Sequence, residues 1–203
     1  MNGNGRVAYF DGIADKWDGF DDQAVLGTRL REGIEELGIG QDETVLDVGC
    51  GTGNLTNALL DRLSSTGRVI SVDFSPKMIA VAKGKIQDRR VTWHVADARR
   101  LPLASESCDR VICYSVWPHF EDRRAVADEL SRVLRPMGRL HVWHTIGRGK
   151  VNEIHAGAGE AVRGDVLQPA QATAEVLVAA GFEVTTTVDA EGSYLVSAMK
   201  LDA

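Results

Sequence analysis

The chain has 203 residues, 44% of them hydrophobic and 26% charged, enough to bury one sizeable core within a single α/β domain spanning 1–203. A net charge of −6 argues against general affinity for nucleic acid or an anionic membrane, since neither gains anything from a mostly acidic surface. Three cysteines without a C-x-x-C pair give no disulfide framework or thiolate zinc site, and the first residues lack the basic start and apolar run of a secretory signal, so a soluble cytoplasmic protein is expected.

In chain order, Leu26, Leu30, Ile34 and Leu37 recur at three- and four-residue spacing and predict a helix from about Val25 to Leu37. The run Thr44 to Val48 then predicts a strand ending in glycines, followed by a helix marked by Leu55, Ala58, Leu59 and Leu63. Arg68 to Val72 reads as a second strand. Ser75 and Pro76 supply the cap and first-turn proline of a helix that buries Met78, Ile79, Ala82 and Ile86. Val91 to Val95 and Arg110 to Tyr114 are the third and fourth strands. Val126, Leu130, Val133 and Leu134 mark a helix that stops before Pro136 and Gly138, and Leu140 to Trp143 is the fifth strand.

Gly147 to Gly164 is glycine-rich and lacks a clear period. A helix from Ala172 to Ala180, closed by Gly181, precedes two strand-like runs, Glu183 to Val188 and Tyr194 to Met199, which read as a β-hairpin. Strands alternating with helices imply right-handed crossovers and a mostly parallel sheet with helices on both faces. The expected divisions are an N-terminal lid and helix (1–40), a cofactor-binding core (44–145), a substrate-side connection (146–170) and a terminal helix and hairpin (171–203).

The segment VLDVGCGTG, residues 45–53, places Gly49, Gly51 and Gly53 where an open parallel sheet binds ligands, beyond the carboxyl ends of its strands. Glycine lets a ligand approach the main chain and supplies the positive φ such turns require. Asp73, twenty-two residues after Gly51, ends the second strand, where a carboxylate can accept hydrogen bonds from both hydroxyls of a ribose. A dinucleotide loop would need a third glycine where Asn54 stands, and no Gly-Lys-Ser/Thr makes a phosphate loop. A nucleoside ligand without pyrophosphate remains, and S-adenosylmethionine is one. Asp47 would suit its ammonium group, and Asp97 could accept from the adenine amino group.

From Val45 to Val142 the chain resembles the class I S-adenosylmethionine-dependent methyltransferases, in particular the branch that includes quinone-biosynthesis C-methyltransferases. Five segments carry the likeness: VLDVGCGTG (45–53), SVDFSPKMIAVAK (71–83), ADARRLPLASESCDRVIC (96–113), SVWPHFED (115–122) and LRPMGRL (134–140). The resemblance implies a Rossmann-like sheet of seven strands, the seventh antiparallel. It also implies that Gly49, Gly51 and Gly53 lie near the methionine part, Asp73 on the ribose, Phe74 and Met78 against adenine, Asp97 and Ala98 at the adenine edge, and Ser115 facing the cofactor. YFDGIADKWD (9–18) is similar to the family's segment that closes over the cofactor, which brings in Tyr9 and Trp17; tyrosine is usual at the latter position.

Methyl transfer requires the acceptor atom to be held behind the methyl group, and a base where an oxygen or nitrogen must lose a proton. His119, His144 and His155 are candidates for orienting or deprotonating a small-molecule acceptor, while His94 and His141 sit inside apolar strands. Residues 144–169 form the expected substrate side, with Arg148 and Asn152 as polar groups toward the acceptor and Arg148 or Lys150 suited to an anion. His119, His144, His155 and Asp165 have ligand chemistry, but their spacing does not support a metal site, and none is expected. A homodimer is compatible with the chain. The rival readings are a non-catalytic S-adenosylmethionine-binding module and, lower, aminopropyl transfer or a metal-dependent variant.

Overall fold

A computed structural model describes residues 3–202; the outermost ends of the expected lid and terminal hairpin, residues 1–2 and 203, lie outside the described residues. Seven strands form one sheet: β1 (Thr44–Val48), β2 (Arg68–Asp73), β3 (Val91–Val95), β4 (Cys108–Tyr114), β5 (Leu134–His144), β6 (Phe182–Asp189) and β7 (Tyr194–Lys200). Their spatial order is β3-β2-β1-β4-β5-β7-β6, and β7 runs antiparallel to both β5 and β6, as the hairpin pattern predicts. The order reverses between β1 and β4, so the crevice above their carboxyl ends is the topological switch point where such sheets take ligands.

Helices α1 (Gly3–Ile13), α2 (Gln23–Glu36), α3 (Asn54–Arg62), α4 (Pro76–Lys85), α5 (Arg123–Val133), α6 (Arg148–Gly157) and α7 (Ala170–Ala179) complete the chain, with a 3-10 turn over Ala14–Phe20. The caps follow from sequence: Asp22 accepts from the backbone of Ala24 and Val25, Ser75 from Met78, and Asp122 from Ala125. Val126, Leu130 and Val133 of α5 are fully buried against one face of the sheet, each contributing roughly 1.5–3 kcal/mol by removal from water. On the other face Leu30 and Ile34 of α2 meet Leu59 of α3 and Trp143 of β5. There Gly33 admits the indole, because a Cβ would lie 2.1 Å from Trp143 Cζ2. A third, smaller cluster joins Phe10 and Ala14 of the N-terminal segment to Met78 of α4 and Val162.

Two sequence expectations change. The 147–164 stretch contains a ten-residue helix, α6, hidden from periodicity because only Val151 on it is buried. The fifth strand starts at Leu134, not Leu140, and absorbs Pro136 and Gly138 in an irregular stretch where the register with β4 shifts and Met137 takes a φ of 62°. The N-terminal segment is mainly helical, built on packing against α4. Among the described residues no helix is long and apolar enough to cross a membrane.

Candidate cofactor and acceptor site

The turn after β1 is held by its backbone. Gly49 and Cys50 donate to the carbonyl of Val72, and Gly53 donates to Cys50, which fixes the loop across the ends of β1 and β2. Gly49, Gly51 and Gly53 all have positive φ, but their surroundings differ. A Cβ on Gly49 would lie 2.3 Å from Val116, and one on Gly53 would lie 2.9 Å from Ile86. At Gly51 the one heavy atom within 4 Å is Trp17 Nε1 at 3.8 Å. Gly49 and Gly53 are glycines for packing, whereas a side chain at Gly51 would meet only the Trp17 indole.

Asp73 projects from the end of β2. Its Oδ2 accepts from Gly51 N at 2.9 Å and its Oδ1 from Ser75 N at 2.8 Å, so the carboxylate is pinned by backbone. Burial nevertheless pushes its carboxyl up to about 6, because two amide donors do not replace the water it has lost. Further donors, such as ribose hydroxyls, would offset that cost. Asp97 follows β3, is half-exposed, and accepts from Arg99 N at 2.9 Å and from the Arg99 side chain; that hydrogen bonding holds its carboxyl below the ordinary range.

Asp47 has a different place from the one expected of an ammonium ligand. It is buried behind the glycine turn, accepting from Thr56 Oγ1 at 2.7 Å, and Thr56 continues to Ser71 at 2.8 Å. Burial pushes its carboxyl up to about 7. It ties α3 to β1 and β2 and is absent from the cavity wall.

That cavity is a cleft above the switch point, partly open to solvent. Val48, Gly49, Val72, Asp73 and Phe74 form one side, Ala96, Asp97 and Ala98 the far end, and Val116, His119 and Val126 the opposite side, with Arg6 of α1 above. The lining fits an adenosine: a buried carboxylate at the ribose position, an aromatic and aliphatic wall, and an acceptor at the end. It does not fit phosphates. Asp73, Asp97, Glu121 and Asp122 all line it, and its cations Arg6 and Arg99 are already paired with Asp165 and Asp97. Met78 is buried beneath, in the cluster with Phe10, and Phe10 meets Phe74 edge-on at 5.4 Å.

The N-terminal segment, the expected lid, is tied down at three points. Ser75 Oγ donates to Asp11 at 2.5 Å; Thr52 Oγ1 donates to Asp18 at 2.5 Å, with Lys85 at 2.6 Å on the other oxygen; and Arg6 grips Asp165 with both terminal nitrogens. Trp17 lies over Gly51, and Tyr9 packs on Gly159, where a Cβ would come within 2.6 Å of its ring. Ser115 has a φ of 52° and donates its N–H to Trp143; its side chain is exposed beyond β4.

Of the three candidate histidines, His119 lines the cavity. Its Nδ1 is 2.6 Å from Asp165 Oδ2, and its ring meets Phe10 edge-on. His155 stacks at 4.8 Å on His119 and bonds through Nδ1 to the Asp165 carbonyl at 2.6 Å. His144 does not face the mouth: it is buried edge-on to Tyr194 with no partner for Nε2, and burial pushes it down to about 3. Among the described residues, no group of three or more such side chains is arranged for a metal.

The expected acceptor contacts Arg148 and Asn152 have structural partners. Arg148 pairs with Asp189 at 2.9 Å, and Asn152 clamps Leu167 by donating to its carbonyl and accepting from its N–H. Arg6 reaches the site from far along the chain and carries no motif, while Phe10 and Glu121 lie within the quoted segments 9–18 and 115–122 without being singled out by them. Asp165 was noticed only as a conceivable ligand; its tie to Arg6 is a long-range contact with no local signal.

Residues 46–142 match the family model described as "Methyltransferase domain". The chain is 34% identical over 139 residues to the Streptomyces halstedii methyltransferase GfsG, covering 66% of this chain and 49% of that protein. It is 30% identical over 143 residues to a demethylmenaquinone methyltransferase of Lactobacillus johnsonii, covering 67% of this chain and 59% of that one. It thus spans about half the length of the curated relatives it matches. In fold it is similar to the crystal structure of an Aquifex aeolicus SAM-dependent methyltransferase, with a TM-score of 0.77 at 21% identity over 93% of this chain and 98% of the other. Residues 46–142 thus carry a methyltransferase domain, and the chain has the fold of S-adenosylmethionine-dependent methyltransferases.

Proposed function

We propose that this chain transfers the methyl group of S-adenosylmethionine to a small organic acceptor held at the His119 side of the cavity. The observation that carries this reading is the cleft bounded by Asp73 and Asp97 on one side and His119 on the other. When bound, S-adenosylmethionine would supply an electrophilic methyl group on a sulfonium. Asp73 and Asp97 would hold the adenosine part, and the open face of Gly51 beneath Trp17 would leave room for the remainder. The cofactor is exchanged when the latched lid opens.

His119 is placed to act on the acceptor. Asp165 occupies Nδ1, which would leave Nε2 to accept a proton from the acceptor atom while that atom attacks the methyl carbon in line and S-adenosylhomocysteine leaves with the S–CH3 electron pair. Burial lowers the basicity of the imidazole, so it is neutral and able to accept a proton near pH 7. The acceptor class this suits is one whose methylated atom carries a weakly acidic proton, such as a phenol or enol.

Calorimetry with S-adenosylmethionine tests the cofactor half, with micromolar binding expected and its loss in Asp73→Ala. No binding to the wild-type chain, or intact binding in the variant, overturns it. Incubation with methyl-labelled S-adenosylmethionine and a panel of phenols and enols tests the transfer; binding without transfer to any extractable small molecule would favour the non-catalytic module.

A further inference from the structure

We propose that Asp165 is a positioning residue that fixes His119 in the Nδ1–H tautomer, with Nε2 turned to the cavity, and that Arg6 makes this arrangement depend on the seated lid. The proposal rests on the reading of His119 as the acceptor-side group. One carboxylate joins three parts of the chain that are far apart in sequence. Its Oδ2 takes both His119 Nδ1 at 2.6 Å and Arg6 at 2.6 Å, its Oδ1 takes the other Arg6 nitrogen at 2.5 Å, and its backbone carbonyl takes His155 Nδ1.

Only the lid supplies Arg6, which also donates to the His119 carbonyl at 3.2 Å and pairs with Glu121 at 3.3 Å. With α1 seated, Asp165 is therefore shared between a guanidinium and an imidazole. A carboxylate already neutralised by Arg6 orients the ring and fixes its tautomer without drawing a proton onto Nε2. With α1 lifted, the same carboxylate faces His119 alone and stabilises the imidazolium, which cannot accept a proton. The base is thus competent in the closed state and suppressed in the open one.

The groups facing His119 are few. Asp165 raises its basicity, while Arg6 of α1 and His155 of α6 lower it, against a background of burial that also lowers it; His144 of β5 lies close enough to respond to the same charges. Glu121 acts through Arg6. The two substitutions that dismantle the arrangement therefore push His119 in opposite directions. Asp165→Asn removes the group that favours the charged ring, so the apparent pKa falls further. Arg6→Gln removes a cation, so it rises.

The test uses the full chain with 15N-labelled histidine and long-range 1H–15N correlations from about pH 5 to about pH 9, with His119→Gln to assign the signal among five histidines. Expected are a neutral Nδ1–H ring in the wild type at neutral pH, a lower pKa with mixed tautomers in Asp165→Asn, and a higher pKa in Arg6→Gln. A merely structural role would loosen the site in both variants and move both toward the ordinary value. Shifts of the same sign, or an unchanged tautomer in Asp165→Asn, overturn the proposal. Calorimetry with S-adenosylmethionine on the same samples separates this failure from failure of the cofactor reading, since wild-type binding stands or falls independently of the His119 signals.

Discussion

The two walls of the cavity are built by opposite means. The wall proposed for the cofactor is backbone: five residues after β1 make a turn whose amides bond to Val72 and Asp73, so local sequence determines it. The wall proposed for the acceptor is side chains delivered from α1, the segment after β4 and the segment after α6, which meet at Asp165. The first wall tolerates almost no change of shape and many changes of sequence elsewhere. The second can be rebuilt by single substitutions without disturbing the sheet, which is how one fold serves different acceptors.

The sharpest way to break this contrast is at the glycines. Gly49→Ala combines a φ of 71° with a Cβ 2.3 Å from Val116, a buried side chain that anchors the segment after β4. Left-handed strain and overpacking together cost about 3 kcal/mol, which in a chain of this size lowers the melting temperature by roughly 10 °C. Both walls fail together. Gly51→Ala meets nothing nearer than Trp17 Nε1 at 3.8 Å, so it carries only the strain of a φ of 52°, about 1–2 kcal/mol. Its added methyl group enters the gap beneath Trp17 that the proposed reading gives to the methionine part, and S-adenosylmethionine affinity is expected to fall roughly hundredfold, about 2.7 kcal/mol, in a fold that still melts cooperatively. A Gly51→Ala protein that binds as the wild type does would show that the open face there has no part in binding.

Next in size is a pH effect at Asp73. Its carboxyl is pushed up to about 6 by burial, from an ordinary value of 3.8. A raised folded-state pKa on an acid means that the empty protein is penalised while this group is ionised. The penalty is complete above about pH 6, shrinks as pH falls through that value, and is gone below 3.8. Two units correspond to about 3 kcal/mol. The bound state should behave oppositely, because hydroxyl donors favour the ionised form. Cofactor affinity is therefore expected to drop by up to about tenfold per pH unit below about pH 6, measured by calorimetry across pH. Affinity flat from pH 7 to below the Asp73 pKa would detach this carboxylate from the ligand.

The same contrast explains what could be read in the sequence. Alternating strands and helices, the glycine turn, Asp73 after β2 and the terminal hairpin were all legible, because each is a spacing or a period within a few tens of residues. Asp47 was legible as a residue but not in direction: strand alternation and the turn send its side chain behind the loop to Thr56. Arg148 and Asn152 were singled out as polar groups at short spacing, yet α6 turns them to Asp189 and Leu167. Arg6 has no local signal at all. Its meaning depends on Asp165, 159 residues away, and such a pairing exists only once the lid has folded onto α4.

Asp18 is where the N-terminal segment meets the glycine turn, and it gives the smallest and most specific effect. It belongs to the lid, but its partners Thr52 and Asn54 belong to the glycine turn and to the first residue of α3, and Lys85 closes the ion pair from the end of α4. These hydrogen bonds hold its carboxyl below the ordinary range although partial burial opposes them. The group is a third exposed, so solvent screening discounts the ion pair, and Asp18→Ala should cost the fold no more than about 1 kcal/mol. The turn itself stays in place, because its backbone bonds to Val72 do not involve the lid. What changes is the closed population: losing this latch should speed S-adenosylmethionine dissociation by about fivefold in stopped-flow, with association nearly unchanged. Arg6→Gln, at the other end of the same lid, should also speed dissociation but additionally move His119, whereas Asp18→Ala should leave the His119 resonances where they are. Equal effects of the two substitutions on His119 would mean that the lid moves as one rigid body and that the acceptor wall does not have its own latch.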